Sequence, residues 1–413
     1  MAIELIREFF RDMNNHRMRS VLTLIAIIWG TMSVVLLLAF GSGFGTAMRN
    51  GMVNAWNRVL IIYGDETGKV YQGLPKGRRI NLEERDVDLL KATVPSIVMS
   101  SPQYRKNAEL FYGKTRLTTE CEGAGPDFES MRAMYPEAGG RFLDANDIKY
   151  QKRSLFLGYE IAGDLFKGGD PIGKTVMVDN VPFTVVGIME KKLQTSMNNG
   201  PDSRRAVIPY STFRMIYGNR YINTILVKGS SPASQARMIS EIRQVLGKKY
   251  RFDPTDERAV GIFDTMMIDE MIKKISLGVS IFLGIVGFFT LMIAGVGVAN
   301  VMYVVVKERT REIGIMMAVG ARRTYILSQF VFEALFISLL GGCLGLLLSW
   351  VIVAATGLLD TSSGAMQYLG RPILSIGIML FTVIVLTSIG LFAGVFPARR
   401  AAAVDPVESL RYE

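Results

Sequence analysis

Histidine and cysteine are almost missing from this chain of 413 residues, which holds one His, His16, and two Cys, Cys121 and Cys343. A lone imidazole excludes any site that needs two, and no CxxC spacing offers a metal site. Cys343 lies in an apolar run and Cys121 in the polar middle of the chain, so no disulfide framework is expected. Charge is also sparse. Charged residues make up 20% and hydrophobic ones 49%, against roughly 25% charged in a soluble domain, and the mean hydropathy is +0.27. No apolar run holds paired carboxylates, metal ligands or a nucleophile beside a base, so an enzyme embedded in the membrane is the least supported reading. The expectation is no catalytic, metal or cofactor-binding residue in this chain.

What is present is apolar length. Ser20 to Met48 carries no charge, and neither do Ile275 to Val306 nor Pro372 to Pro397; Thr324 to about Leu358 carries only Glu333. Each is long enough for a helix across a hydrocarbon layer of about 30 Å. The first run exceeds the apolar region of about 7–15 residues in a secretory signal and lacks its A-x-A site, so a retained span is expected. The net charge of +10 comes from 47 Lys and Arg against 37 Asp and Glu. Many of these cations flank the runs, which argues for orientation and against a nucleic-acid partner. Arg7, Arg11, Arg17 and Arg19 precede the first run, Lys307, Arg309, Arg311, Arg322 and Arg323 join the second to the third, and Arg399, Arg400 and Arg411 follow the fourth. Only Arg371 joins the third to the fourth. Both termini are therefore expected in the cytoplasm.

The expected order is a cytoplasmic amphipathic helix over 1–19, a span over 20–42 and an extracytoplasmic domain with its stalk over 43–272. A second span over 275–306, a cytoplasmic segment over 307–323 and a third span over 324–357 follow. A short external loop over 358–371, a fourth span over 372–397 and a cytoplasmic tail over 398–413 complete it. Ile6, Phe9, Phe10 and Met13 form the apolar stripe of the first helix. Glycines at four-residue spacing, Gly41 with Gly45, Gly341 with Gly345 and Gly390 with Gly394, suit close packing of helices in lipid. Apart from Glu333, read as an interfacial or structural carboxylate, no ionisable group sits in a run, unlike a proton- or ion-driven carrier.

The middle domain reads as α+β in two subdomains. Strands are expected over Arg58–Tyr63 and Thr224–Val227, and a hairpin over 174–189 that turns at Asp179-Asn180. Helices are expected over Leu82–Ala92, Tyr159–Phe166, Tyr210–Tyr217 and Pro232–Leu246. A helix over Asp264–Lys274 runs into the second span, and the first span continues toward Trp56. Gly168 to Thr175 fits the phosphate-loop pattern GxxxxGK[ST], but that chemistry needs a strand before the loop and a helix after it. A helix precedes and a strand follows here, and Pro171 removes a donor, so the segment reads as a turn.

The connection 307–323 is the most informative stretch. Ile313, Met316, Met317 and Gly320 make an apolar face and Glu308, Arg309, Arg311 and Glu312 a polar one, which predicts a short amphipathic helix stopped near Gly320. Such a helix can lie in the interface or fit a groove on a partner. Glu308 to Ile315, Met317, Ala318, Gly320 and Ala321, followed by Gln329, Phe330, Glu333, Ala334, Gly341, Gly342 and Gly345, resemble the permease of MacB-type ABC transporters, in the FtsX-like permease superfamily. Arg19-Ser20, Leu22, Thr23, the turn Asp170 to Lys174, and Pro397-Ala398-Arg399 with Asp405-Pro406-Val407 and Leu410 extend the resemblance over nearly the whole chain.

That resemblance implies an α-helical integral membrane protein with four transmembrane helices and a large α+β extracytoplasmic domain. The domain would join a ferredoxin-like part and a β-rich insertion on a helical stalk. It implies a permease in a bacterial inner membrane, paired with a second permease subunit as a homo- or heterodimer. An ABC ATPase carrying ATP-Mg would be supplied separately, since this chain starts at the membrane. Glu308, Arg309, Thr310, Arg311, Glu312, Ile313, Gly314, Met317, Gly320 and Ala321 would couple to it. A periplasmic adaptor, an outer-membrane channel and membrane lipid are further expected partners. The function implied is mechanotransmission, in which ATP hydrolysis moves the outer domain to expel a drug, peptide or lipid. A non-transporting regulator of cell-wall hydrolases and a lipoprotein-release permease are the alternatives.

Overall fold

The structure, a computed structural model, describes residues 17–55, 58–193, 200–358 and 370–402. The lead-in over residues 1–16, Trp56, most of the 358–371 connection and the segment from Asp405 to Arg411 lie outside the described residues. In chain order the elements are α1 (Arg17–Ala55), β1 (Val59–Gly64), α2 (Glu84–Thr93), β2 (Ile97–Tyr112), β3 (Thr115–Ala124), α3 (Phe128–Arg132), α4 (Ala145–Lys149), β4 (Ser154–Leu157), α5 (Tyr159–Phe166) and β5 (Thr175–Val178). Then come β6 (Val181–Ile188), β7 (Arg205–Pro209), α6 (Tyr210–Tyr217), β8 (Thr224–Gly229), α7 (Gln235–Tyr250), β9 (Val260–Asp264), α8 (Thr265–Glu308), α9 (Thr310–Ala318), α10 (Arg323–Thr356) and α11 (Ile376–Ala402). The chain divides into two compact units, residues 1–47 with 273–413 and residues 48–272.

Among the described residues four helices, α1, α8, α10 and α11, hold stretches long and apolar enough to cross a membrane. With 39 and 44 residues, α1 and α8 outrun the roughly 20 residues that a span needs, as the stalk reading expected. Between their extensions, in the second unit, Arg49 Nε lies 3.5 Å from Asp269 Oδ1. The fourth span departs from expectation at both ends. Residues 372–375 are not helical, and α11 carries Pro397 inside it and continues to Ala402. Ser375 opens that helix by accepting the Ile378 N–H on its hydroxyl.

All three glycine pairs sit where helices meet. A Cβ at Gly345 would stand 2.7 Å from Thr31 Cβ and 3.0 Å from the Ile28 carbonyl oxygen of α1, and one at Gly394 2.7 Å from Ala334 Cβ of α10. Gly341 faces Ile27, Gly390 faces Ser338, Gly41 faces Leu283 and Gly45 faces Ser276. In lipid there is no water to expel between helices, so this backbone approach supplies the packing attraction. Ile27, Val34, Leu291, Met302, Phe330, Leu386 and Ala398 belong to the buried core that results.

In the second unit β1–α2–β2 and β8–α7–β9 form two βαβ pieces. Their strands lie in the order β9-β1-β8-β2, antiparallel throughout, which is the ferredoxin-like split arrangement. Everything from β3 to α6 is inserted between these pieces. The strand β2 serves both parts. Residues 97–103 pair with β8, while Tyr104↔Gly123 through Tyr112↔Thr115 pair with β3. From β3 the pairing runs through β7, β4, β6 and β5 and returns to β2 at Leu110↔Val178, closing a six-stranded barrel without a free edge. The two expected subdomains are thus fused through one strand, and one core, with Leu60, Tyr104, Leu157, Val185 and Ile242 among its members, serves both. The hairpin turns where expected. Asp179 and Asn180 both have positive φ, 44° and 66°, as a two-residue type I′ turn requires. The Asp179 carboxylate accepts the Glu109 N–H (2.8 Å), the Tyr217 hydroxyl (2.9 Å) and Lys106 Nζ (3.2 Å).

The insertion also buries charge. Arg132 donates to Asp202, and Arg205 donates to Glu122, with all four side chains excluded from solvent. Lys192 Nζ reaches Asp202 at 2.8 Å, and Arg205 Nη2 lies 3.4 Å from Glu120. Burial pushes the Asp202 carboxyl up, but Arg132, Lys192 and Arg205 outweigh it and hold the group below the usual carboxylate range. Burial pushes Glu120 up, against the pull of Arg205, and lowers Lys192 despite Asp202 beside it.

Candidate coupling site between the second and third spans

After Glu308 the helix breaks at Arg309, whose φ and ψ of −92° and 7° leave the helical basin. Thr310 marks the break by donating its hydroxyl to the carbonyls of Val306 (3.1 Å) and Lys307 (2.8 Å). The new helix α9 lasts nine residues. Its end is built by Gly320, at φ +101°. The Gly320 N–H donates to the Met317 carbonyl at 3.1 Å, and the Ala321 N–H to the Met316 carbonyl at 2.9 Å. That pair of bonds is a Schellman stop, which needs a residue at ease with positive φ. Arg322 then turns extended and α10 begins.

The ten residues singled out from the sequence separate into layers. Ile313 and Gly314 are buried, Ile313 in the same core as Ile326, Phe330, Ala398 and Ala401. Thr310, Met317 and Ala321 are half-buried, and Glu308, Arg311 and Glu312 face solvent. Two placements differ from expectation. Gly320 is exposed at the turn and does not join the apolar face. Arg309 leaves the polar face, and its guanidinium lies 3.8 Å from the Glu333 carboxylate of α10 with only 18% and 12% of the two side chains exposed. Glu333, read from the sequence as an interfacial or structural carboxylate, thus faces a cation of the connection across that contact. The coupling residues read from the sequence leave out Ile315, although it lies within the motif, and Val319. They stand one turn apart on the outer side of α9, 47% and 85% exposed, and their i, i+4 spacing beside charged neighbours was the available signal. The site is thus the end of α8, a short helix with its apolar side anchored and the residue that caps it, together showing outward two acids, one base and two bare aliphatic side chains.

The phosphate-loop-like segment has the local order read from its sequence, with α5 before it and β5 after it. Its backbone donors are used internally: Gly169 N–H bonds Phe166 O, Ile172 N–H bonds Asp170 Oδ1, Gly173 N–H bonds Val185 O and Lys174 N–H bonds Pro171 O. A phosphate cradle needs those groups pointed at the ligand.

Comparison with known proteins agrees with this layout. Residues 20–245 match the family model of the MacB-like periplasmic core domain, and residues 284–406 match that of the FtsX-like permease C-terminal region. The macrolide export ATP-binding/permease protein MacB of Shewanella sp. (strain W3-18-1) is 30% identical over 419 residues, covering 100% of this chain and 61% of its own length. The protein of the same name from Azoarcus sp. (strain BH72) is 32% identical over 418 residues, covering 100% and 60%. The chain therefore spans about three fifths of the length of these relatives. Among solved structures, the periplasmic region of MacB from Actinobacillus actinomycetemcomitans has a TM-score of 0.43 at 19% identity, covering 55% of this chain and 97% of that one. One family model spans more than half of the chain, and the other takes in the helix, the stop and the ion pair just described: the chain belongs to the MacB/FtsX-like permeases.

Proposed function

We propose that the chain is the permease of an ABC transporter that works by mechanotransmission. A separate ABC ATPase, holding ATP-Mg, seats on α9 and the residues around it. Its closure is carried by the long helices α1 and α8 to the extracytoplasmic domain, which expels a drug, peptide or lipid. The permease acts as a homo- or heterodimer in a bacterial inner membrane with both termini cytoplasmic, aided by a periplasmic adaptor and an outer-membrane channel. The observation that carries this reading is the outward face of the 308–319 segment, where Glu308 at the end of α8 and Arg311 and Glu312 of α9 flank exposed Ile315 and Val319, with α9 otherwise clamped to the core. A short helix with one apolar side fixed and one mixed side offered is a shape that a groove on a partner can grip. The match of residues 20–245 to the MacB-like core domain, and the export named for the relatives, support efflux over the non-transporting regulator and over lipoprotein release. The test is Glu308→Ala with Arg311→Ala. Loss of two interfacial charges, at about 1–2 kcal/mol each, predicts an ATPase affinity lower by about thirtyfold or more, read as lost co-purification and lost stimulation of hydrolysis. Unchanged co-purification and stimulation refute the assignment of α9.

A further inference from the structure

At the end of the membrane unit that carries α9, the helices α8 and α11 meet through a polar contact. Arg400 Nη1 of α11 donates to the Tyr303 hydroxyl oxygen of α8 at 3.0 Å, and the guanidinium carbon stands 5.1 Å from the centre of the Tyr303 ring. Tyr303 is neutral, so the charge on Arg400 is not compensated by this partner. The contact uses one of five guanidinium donors and leaves the tyrosine O–H able to donate elsewhere. Two more cations adjoin it. Lys307 follows Tyr303 by four residues, on the same face of α8 and about 6 Å farther along it, and Arg399 precedes Arg400 in α11. Lys307, Arg399 and Arg400 are all exposed.

Each helix leads to this cluster along an apolar outer stripe. On α11, Phe392, Phe396 and Arg400 recur at steps of four, with the two phenylalanines 78% and 82% exposed. On α8, Met292, Val296, Asn300, Tyr303 and Lys307 recur at steps of four, four, three and four, and all five are exposed. The helices lie side by side over this length, since a Cβ at Gly295 would stand 2.2 Å from Ile389 Cγ2. From that contact to the one between Tyr303 and Arg400 both chains run the same way, so both stripes pass from hydrocarbon side chains to a cation in the same direction. Phe392 lies about 12 Å from Arg400 along the helix, inside the apolar span. An acidic protein surface that reached Lys307 and Arg400 would leave Phe392 and Phe396 bare, and so would free phosphate. An occupant that covers both parts has an anion at one end and alkyl chains at the other.

We propose that the seam between α8 and α11 binds one anionic phospholipid in the leaflet on the α9 side, its phosphate held by Lys307, Arg400 and the Tyr303 hydroxyl and its acyl chains laid over Val296, Phe392 and Phe396. Arg399 adds to the field at the headgroup, and the Asn300 amide, one turn before Tyr303, stands at the depth of the ester groups. The site goes beyond the transport reading, because it concerns a resident lipid whether or not the permease exports anything. It also separates two kinds of cation at this end of the bundle. Arg322 and Arg323, beside the start of α10, are exposed as well, but the Tyr303 contact joins Arg400 to α8 and not to them. They serve as the internal control.

The test uses the full chain in vesicles of phosphatidylglycerol and phosphatidylcholine, each lipid in turn carrying a photoreactive group on its acyl chain. Phosphatidylglycerol is expected to label peptides covering 292–300 and 389–396 in preference to phosphatidylcholine. Lys307→Gln, and independently Arg400→Gln, are expected to reduce that preference about fivefold, the worth of one cation near an anionic surface. Arg400→Lys keeps the charge and is expected to keep most of the preference, while Arg322→Gln and Arg323→Gln are expected to leave it unchanged. A preference unchanged in both Lys307→Gln and Arg400→Gln would overturn the proposal. An equal loss in the α10 variants would overturn it by showing a diffuse field in place of a site. A loss in Arg400→Lys as large as in Arg400→Gln would do so by reducing Arg400 to a clasp on Tyr303. So would a disulfide between cysteines placed at Asn300 of two copies in the membrane, with Cys343 replaced by serine, because it would assign the seam to a second copy.

Discussion

The Arg309–Glu333 pair joins the first turn of the candidate coupling helix to the third span, so it is the place to perturb the connection without touching its outward face. The N···O separation is 3.8 Å. With an effective dielectric near 20, two unit charges at that distance attract by about 4 kcal/mol. Desolvation of two largely covered side chains cancels much of this, and pairs of intermediate exposure fall between the roughly 0–1 kcal/mol of surface pairs and the 3–5 kcal/mol lost on breaking a buried one. A coupling energy of about 1–2 kcal/mol is expected. The assay is a double-mutant cycle of Arg309→Gln, Glu333→Gln and the double variant. Thermal unfolding in detergent is followed for stability, and hydrogen exchange over 309–321 for the local opening of α9. Each single variant should open α9 more than the double variant, since each leaves one charge stranded. A coupling energy below about 0.5 kcal/mol, the limit at which independent sites add, would show that the two charges act separately and that the break at Arg309 is held by Thr310 and the core alone.

Two further expectations concern packing and acid. Gly345→Ala places its Cβ against Thr31 and the Ile28 backbone, an overpacking cost of about 1–3 kcal/mol, whereas Gly297→Ala has open space and gains up to about 1 kcal/mol of helix propensity. Opposite signs in thermal stability are expected, and equal shifts refute the contact. The Asp202, Asp147 and Asp179 carboxyls are all held below the usual range. For each, burial pushes upward and is overcome, by the surrounding cations at Asp202, by Arg141, the Asp144 N–H and Ser154 at Asp147, and by the Glu109 N–H, Tyr217 and Lys106 at Asp179. A carboxyl depressed in the folded state stabilises it fully above the unfolded value of about 4, and that contribution is lost as pH falls through the folded value. Glu120, shifted upward, opposes the trend within the buried network. Amide exchange in β3 and β7 should therefore accelerate below about pH 4 beyond its intrinsic rate, and the acceleration should be smaller in Asp202→Asn. Identical pH profiles for the two proteins would refute the assignment.

Much of this molecule could be read before any coordinates. The four runs became four long helices because hydrocarbon tolerates only segments whose backbone bonds are internal, and length with apolarity is enough to state that. The glycine pairs were legible because lipid leaves close approach as the means of packing. The turn at Asp179-Asn180 and the stop at Gly320 were legible because positive φ selects few residue types. These are local constraints, and each is written in a few adjacent residues.

The long-range parts were not. The strand β2 carries Pro102 in its middle and Arg105 and Lys106 just after it, so its alternation is broken where it passes from one sheet into the barrel. Its partners Gly123 and Val178 are set by closure, which no short window contains. Asp202 reads as an ordinary turn residue and Glu122 as a surface charge until Arg132 and Arg205, far away in sequence, are folded onto them. Arg309 was read onto the wrong face for the same reason, because helical spacing knows the face of α9 but not that Glu333 waits on α10. Periodicity and backbone sterics act between neighbours, whereas ion pairs and strand closure are decided by distances that exist only once the chain has folded.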